Sequence, residues 1–521
     1  MEDQKKPEKN YKVVIKDAFW QIVGRVVSAL WGFIVLQLTT PYLWPLRFGD
    51  YNTILKYFAI WSALADFGLY VIGLRELWAL REEVAHLPEA EQKEKLSLYY
   101  SKFVMSRVVT VAVVYGVALL IAYLIPSYRE NPYLMWWLPI GMLFSATFML
   151  AGIVQLPLQL YWKMEQVSIG LTVARVAQLA IMVGVLWLFP EPWFDTTGWG
   201  LLPFILIIAT VLVSGLGQML YVHFISERYI KLKPIFDLQF TRHHIRSNWQ
   251  YGIAYYLSSF HTLAVSILMS IIYPTSKGFI YVGIRWLALS LIEILLIIPS
   301  SLGNSMIHKV SWLELKDKLG HFGHLMSLLL WIGGLVVVNF VVRREHIIYF
   351  IAKQEYLTSF LSSQAWEFTI WSDWILPFLG VVITMSFVKQ VFNYIFVSTG
   401  HQNKLLSVNA WWLIVGLWIG FGFIMTQNLI GWVITQTVLE ALYLIGAWIV
   451  AYRAGVIPPL RRKELGLLGI ILLIFGLGGW YYLDHVIAYS NKLYFIFSAV
   501  CFNGLIIGMS YPLVKKIAKG M

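Results

Sequence analysis

Apolar stretches of about twenty residues, one after another, fill almost the whole of this chain and leave no segment long enough for a soluble domain. Crossing the hydrocarbon core, about 30 Å thick, takes about 20 consecutive apolar residues of helix. Inside that core every backbone N–H and C=O must be satisfied within the segment, so helices and closed barrels are the only spanning structures. Barrel strands alternate in roughly ten-residue pieces, which these unbroken runs do not do. The composition agrees: 59% of residues are hydrophobic and 13% charged, whereas soluble domains run near half and a quarter. The fold class expected is all-α integral membrane, with about 14 transmembrane helices. The first two spans are expected over 18–39 and 52–74, the seventh and eighth over 249–273 and 278–307, and the tenth to twelfth over 374–398, 405–426 and 428–452.

Lys and Arg crowd the N-terminal tail, every second loop and the C-terminal end, so both termini are expected inside. The net charge of +12 follows from this orientation and from anionic inner-leaflet lipid, not from nucleic-acid binding. The tail MEDQKKPEKNYKVVIKD enters a full-length span without a small-residue cleavage site, which reads as a retained anchor. One cysteine, Cys501, allows neither a disulfide framework nor a thiolate cluster. The segment 75–102 reads as a charged surface helix, and the loop carrying Trp366, Trp371 and Trp374 as an interfacial helix or a gate. No phosphate-binding GxxxxGK[ST] loop, HExxH or GxSxG occurs, so no catalytic residue, metal or cofactor is expected and the chain reads as a non-enzyme.

A shift of 229 residues lays Trp20-Gln21 on Trp249-Gln250, Pro45 on Pro274, Gly49 on Gly278 and Lys56 on Arg285. With matching topology this suggests two six-helix lobes in parallel pseudo-repeat plus two C-terminal helices. The divisions expected are a basic tail (1–17), an N-lobe (18–222), a linker (223–248), a C-lobe (249–452) and a last pair with its tail (453–521).

A charge at the centre of a span costs about 2.5–3.5 kcal/mol, so such residues face a cavity or a partner. Lys56 and Arg285 each follow their glycine by seven residues, about 10 Å along a helix. Facing each other across a cleft they would clamp a pyrophosphate; otherwise both reach the outer headgroups. Arg25 and Asp66 lie at similar depth on neighbouring spans and either line the cavity or neutralise each other. Glu440 sits near mid-membrane, where a carboxylate is protonated or holds a cation. Glu293 and Lys389 fall in the inner third of their helices, within reach of cytoplasmic water. Arg107 and Arg175 read as orientation determinants, and the lone His261 as a packing residue.

The stretch FWQIVGRVVSALWGFIVLQLTTPYLWPLRFGDYNTILKYFAIWSALADFGL resembles the opening of bacterial polysaccharide exporters. These are the O-antigen-flippase-type members of the multidrug/oligosaccharidyl-lipid/polysaccharide (MOP) exporter superfamily. The elements carrying the resemblance are Tyr42-Leu43-Trp44-Pro45, Phe48-Gly49 and Asp66-Phe67-Gly68-Leu69. GFIYVGIRWLALSLIEILLIIPSSLGNSMIHKVS and the region from Leu376 to Arg453 are similar to later helices of the family. The resemblance implies a MATE-like fold and alternating access in the bacterial or archaeal inner membrane. It implies transfer of polyprenyl-pyrophosphate-linked glycan to the outer leaflet, as in lipopolysaccharide O-antigen assembly for the cell envelope, beside a polymerase or other assembly proteins. The family's cationic cleft residues map onto Arg25, Lys56 and Arg285. Many members carry an acidic residue near His261, so a role for that acid does not transfer. Coupling to H+ or Na+ stays open, with Asp66, Glu293, Lys389 and Glu440 as the residues that would carry it or line the cavity. The alternatives are a lipid-linked peptidoglycan precursor flippase, then an ion-coupled multidrug exporter, and last a membrane glycosyltransferase or polymerase.

Overall fold

The structure is a computed structural model that describes residues 11–66, 69–190, 201–246, 267–273, 275–296, 314–352, 372–425, 429–486 and 492–518, with Pro299, Leu302 and Tyr356. Among these residues there is no strand. The main helices are α1 (Tyr11–Asp66), α2 (Leu69–Glu83), α3 (Glu89–Leu124), α4 (Leu138–Val154), α5 (Met164–Leu188), α6 (Leu201–Ser226) and α7 (Thr275–Leu295). They continue as α8 (Leu315–Val342), α9 (Ser372–Ser398), α10 (Gln402–Met425), α11 (Leu429–Arg453), α12 (Arg462–Val486) and α13 (Lys492–Ala518). Nine helices among the described residues are long and apolar enough to cross a membrane. Trp187, Leu124 and Trp418 are each more than three-quarters exposed. Bulky apolar surface of that kind suits lipid rather than water.

Between the first two expected spans, 18–39 and 52–74, the interruption is a break of one residue within Tyr42-Leu43-Trp44-Pro45. Helical structure runs on both sides of Trp44, which alone leaves it with φ 55 and ψ 165. Pro45 has no N–H to give, and its ring disfavours helical geometry at the residue before it, so the hydrogen-bond ladder restarts there. The second span was expected to reach residue 74; helix is present to Asp66 in α1 and from Leu69 in α2, and residues 67 and 68 lie outside the described residues. The charged segment 75–102 is not one surface helix. It comprises the end of α2, a single 3₁₀ turn at Val84–His86 and the first turns of α3.

By packing, the chain divides into two compact units, residues 1–35 with 53–259 and residues 36–52 with 260–521. In the first unit α4 packs on α6, and α6 on α5. Small residues permit the approach: a side chain on Gly215 would meet Thr147 Oγ1 at 2.5 Å, and one on Gly141 would strike the carbonyl of Ile54. In the second unit α8 packs on α9, α9 and α10 on α11, and α12 on α8. Gly333 lies against Thr384, and Gly380 against the backbone of Val337.

Residues 36–52 are bound into the second unit by polar as well as apolar contacts. Thr40 Oγ1 donates to the carbonyl of Ile351 at 3.0 Å, and Phe48 meets Tyr356 edge to face. The backbones of α1 and α7 approach closely at two glycines. A Cβ on Gly49 would lie 1.8 Å from the Phe279 carbonyl oxygen, and one on Gly283 would lie 2.2 Å from that of Pro45.

Candidate functional site

Buried charge inside apolar helices marks where a membrane protein does its work. Arg285 is the clearest case. It stands on α7 two residues past Gly283, is 1% exposed, and lays its guanidinium 5.8 Å from the ring centre of Trp286. Lys56 is half-buried on α1, in the other unit. Arg25 lies on the first part of α1, with its side chain outside the described residues. Glu293 is exposed on α7, and His261 lies outside the described residues.

Asp66 pairs with Arg107 of α3, whose guanidinium also donates to the carbonyl of Ala65 at 3.1 Å. Arg107 is 3% exposed, so its role is not confined to fixing orientation as the sequence suggested. α3 is 36 residues long and starts at Glu89, so Arg107 is five turns into a continuous helix rather than at its edge.

Lys389 and Glu440 are brought together. Nζ of Lys389 on α9 lies 3.6 Å from Glu440 Oε1 on α11. The same ammonium sits 3.9 Å from the ring centre of Trp412 on α10 and 4.3 Å from that of Tyr443 on α11. Gln436 Nε2 donates to Glu440 Oε1 at 3.4 Å. The Tyr443 hydroxyl donates to Asn409 Oδ1 at 3.1 Å, with Asn393 Oδ1 3.2 Å away. Three helices thus build a cage of two ring faces and a carboxylate around one cation, with neutral amides outside it. The sequence held a signal for each wall: Gln436, Glu440 and Tyr443 at i, i+4 and i+7, Lys389 and Asn393 at i and i+4, and Asn409 and Trp412 at i and i+3 share helix faces.

A second polar group, not anticipated from sequence, ties the segment after α6 to α2 and α3. Ser97 Oγ donates to the Lys231 carbonyl at 2.5 Å, and the Lys233 amide donates to Ser101 Oγ at 2.8 Å. Lys102 Nζ lies 2.8 Å from Asp237, and Ser106 and Thr241 share a hydrogen bond of 2.6 Å. Beyond these, His244 Nε2 meets Glu76 at 2.5 Å under the stacked ring of Phe240, and Tyr99 donates to the same carboxylate. Asp237 caps the short helix over 238–246 by accepting from the Phe240 amide. Its carboxyl is held below the ordinary range, first by Lys102 and then by that amide. Among the described residues no three His, Cys, Asp or Glu side chains are grouped to hold a metal ion.

The architecture has solved counterparts. It is similar to a lipid II flippase MurJ in an inward closed conformation, with TM-score 0.63 and 12% identity over 97% of this chain and 98% of that one. It is also similar to an inward-facing multidrug resistance MATE family transporter of the MOP superfamily, with TM-score 0.52 and 11% identity over 82% and 95%. The outward-facing form of a MATE family transporter gives TM-score 0.52 and 13% identity over 85% and 96%. At such identities the likeness establishes the fold, and it is the fold expected from the opening motif. Among curated proteins none matches the chain by sequence. Residues 14–311, more than half of the chain, match the family described as polysaccharide biosynthesis protein. With that match and its spanning helices, the chain is a multi-pass membrane member of the polysaccharide biosynthesis protein family.

Proposed function

We propose that the protein moves an oligosaccharide carried on polyprenyl pyrophosphate from the inner to the outer leaflet by alternating access. The observation that carries this reading is the burial of Arg285 in a helix among apolar neighbours, in a family tied to polysaccharide biosynthesis. A guanidinium is retained there against a cost of about 2.5–3.5 kcal/mol, and its planar fork suits the oxygens of a diphosphate. Lys56 supplies a point charge to the same ligand and Arg25 a third cation. In this reading the lobes are 18–222 and 249–452, joined by 223–248, with 453–521 as the added pair. Both termini lie in the cytoplasm, and the glycan, of O-antigen type, is passed to a polymerase or other assembly proteins. No covalent bond is made or broken, so the protein is a carrier rather than an enzyme.

The test is native mass spectrometry with co-purifying lipid, wild type beside Lys56→Ala/Arg285→Ala. The expected result is a polyprenyl-pyrophosphate glycan on the wild type and none on the folded double variant; full transport by that variant refutes the clamp. Likeness to the lipid II flippase favours a peptidoglycan precursor as the second reading, and the mass of the bound glycan separates the two. Multidrug export fits less well, because a cationic drug would call for carboxylates where this chain places Arg285. Glycosyl transfer by the purified chain would restore the enzyme reading.

A further inference from the structure

The cage formed by α9, α10 and α11 is not used by the function proposed above, and its chemistry is unlike that of Arg285. It presents a carboxylate, 4% exposed, in a helix that crosses the membrane. Oxygen Oε1 faces Lys389 and Gln436. Oxygen Oε2 is buried and accepts no hydrogen bond from any described residue. At 3.6 Å the ammonium is in ionic contact but beyond a good hydrogen bond, and it also lies over the rings of Trp412 and Tyr443. Tyr443 is the other titratable group placed against the pair among the described residues; Asn393, Asn409 and Gln436 are neutral.

We propose that Glu440 is a proton-binding site gated by Lys389, and that the tethered ammonium excludes sodium from it. A hard metal cation takes several oxygen ligands. Here the place opposite the carboxylate is filled by Nζ and walled by two ring faces, leaving a single carboxylate oxygen, Oε2, to offer. A proton needs only that oxygen. Taken from water onto Oε2, it converts the carboxylate to a carboxylic acid and changes the pair from neutral to singly positive. The ammonium then loses its counter-charge in a poorly solvating interior and leaves the rings, releasing one of the polar ties between α9 and α11. When the acid releases its proton to water, the ammonium returns. One proton per cycle thereby opens and closes a contact between two spanning helices. That this movement drives transport rests on the function proposed above; the proton site itself does not.

The deciding measurement is infrared difference spectroscopy of the full chain in liposomes, titrated from about pH 5 to 8. The expected result is a C=O band of a buried carboxylic acid that grows as pH falls and is missing from Glu440→Gln. Lys389→Met removes the counter-charge and raises the proton affinity about tenfold or more, so the band persists to higher pH. Should Lys389→Met fail to fold, Glu440→Asp keeps a carboxyl and moves the band instead of abolishing it. Replacing potassium by sodium leaves the wild-type titration unmoved. Absence of any band that depends on Glu440 overturns the proposal and makes the pair a permanent structural tie. A titration displaced by sodium overturns the exclusion. Because the readout is protonation rather than glycan binding, failure here leaves the proposed substrate standing, and the reverse holds as well.

Discussion

Gly49 and Gly283 make a prediction in which the sign of the effect is itself informative. Replacing a helical glycine by alanine ordinarily stabilises a helix by about 0.5–1 kcal/mol. At Gly49 the new methyl carbon would lie 1.8 Å from the Phe279 carbonyl oxygen, about 1.5 Å short of the ~3.3 Å at which carbon and carbonyl oxygen rest in contact. The obstacle is backbone in the second turn of α7, so no rotamer change relieves it. The helix must move, and a radial gap of even 0.5–1 Å forfeits about a quarter to a half of the dispersion energy along the seam, where Phe48 and Phe279 are fully buried. Gly49→Ala should therefore destabilise the protein by about 3 kcal/mol or more, at or above the upper end for overpacking. Gly283→Ala needs a shift of about 1.1 Å from the Pro45 carbonyl and should cost less. The movement that admits the first methyl largely admits the second, so the double variant should cost at least 1 kcal/mol less than the two single costs together, a coupling usual for touching residues. Equilibrium unfolding in detergent micelles, followed by circular dichroism, measures all three variants. Additive effects, or a Gly49→Ala protein as stable as wild type, would refute the close-approach reasoning.

Three further outcomes follow from the buried pairs and the break in α1. Arg107→Ala strands Asp66 and should cost about 3–5 kcal/mol, whereas Asp66→Asn combined with Arg107→Met recovers most of it, as yields of monodisperse protein from size-exclusion chromatography would show. Asp237, with its carboxyl lowered, stabilises the docked segment fully above the ordinary Asp value of about 4 and loses that contribution as pH falls through the lowered value. Amide exchange over 231–246 should accelerate across that acidic window in wild type and show no such step in Asp237→Asn. Trp44 occupies a backbone region that costs a non-glycine residue about 1–3 kcal/mol, so Trp44→Gly should raise the thermal midpoint in detergent; a lower midpoint would mean that its half-exposed ring carries more than the strain.

Much of the fold was legible because spanning is a one-dimensional property: a run of apolar residues long enough to cross is visible without knowing its neighbours. A break between 39 and 52 was readable, and the structure narrows it to Trp44, since proline acts on the residue beside it. Pairing was not. Asp66 was set against Arg25 by counting depth from loop ends; among the described side chains it pairs with Arg107, which was not foreseen because α3 is one continuous helix whose charged beginning hides how far along Arg107 stands. Lys389 and Glu440 were each singled out as intramembrane charges, and each lies on a readable polar face. Which faces meet depends on the rotation of three helices about their axes, and periodicity gives faces without giving rotations. The cluster of Glu76, Tyr99 and His244 was missed because it joins segments far apart in sequence, and none of the three carries a motif.

The assignment of residues 36–52 to the second unit has a consequence for biosynthesis. The partners of this stretch are made late: Thr40 hydrogen-bonds to a carbonyl 311 residues further on, and Gln37 to one 313 residues on. At about 5–20 residues per second, the middle of the first helix waits roughly 15–60 s after synthesis for the atoms it finally rests against. Its early neighbours wait less, since their unit ends by residue 259: Ser168 donates to the Trp20 carbonyl 148 residues before it. The nascent chain therefore carries an unfinished seam, lined by Gln37, Thr40 and Gly49, through most of its translation. Whatever shields that seam in the cell, whether lipid or an insertion factor, must let go of it only when α7 and the residues up to 351 arrive.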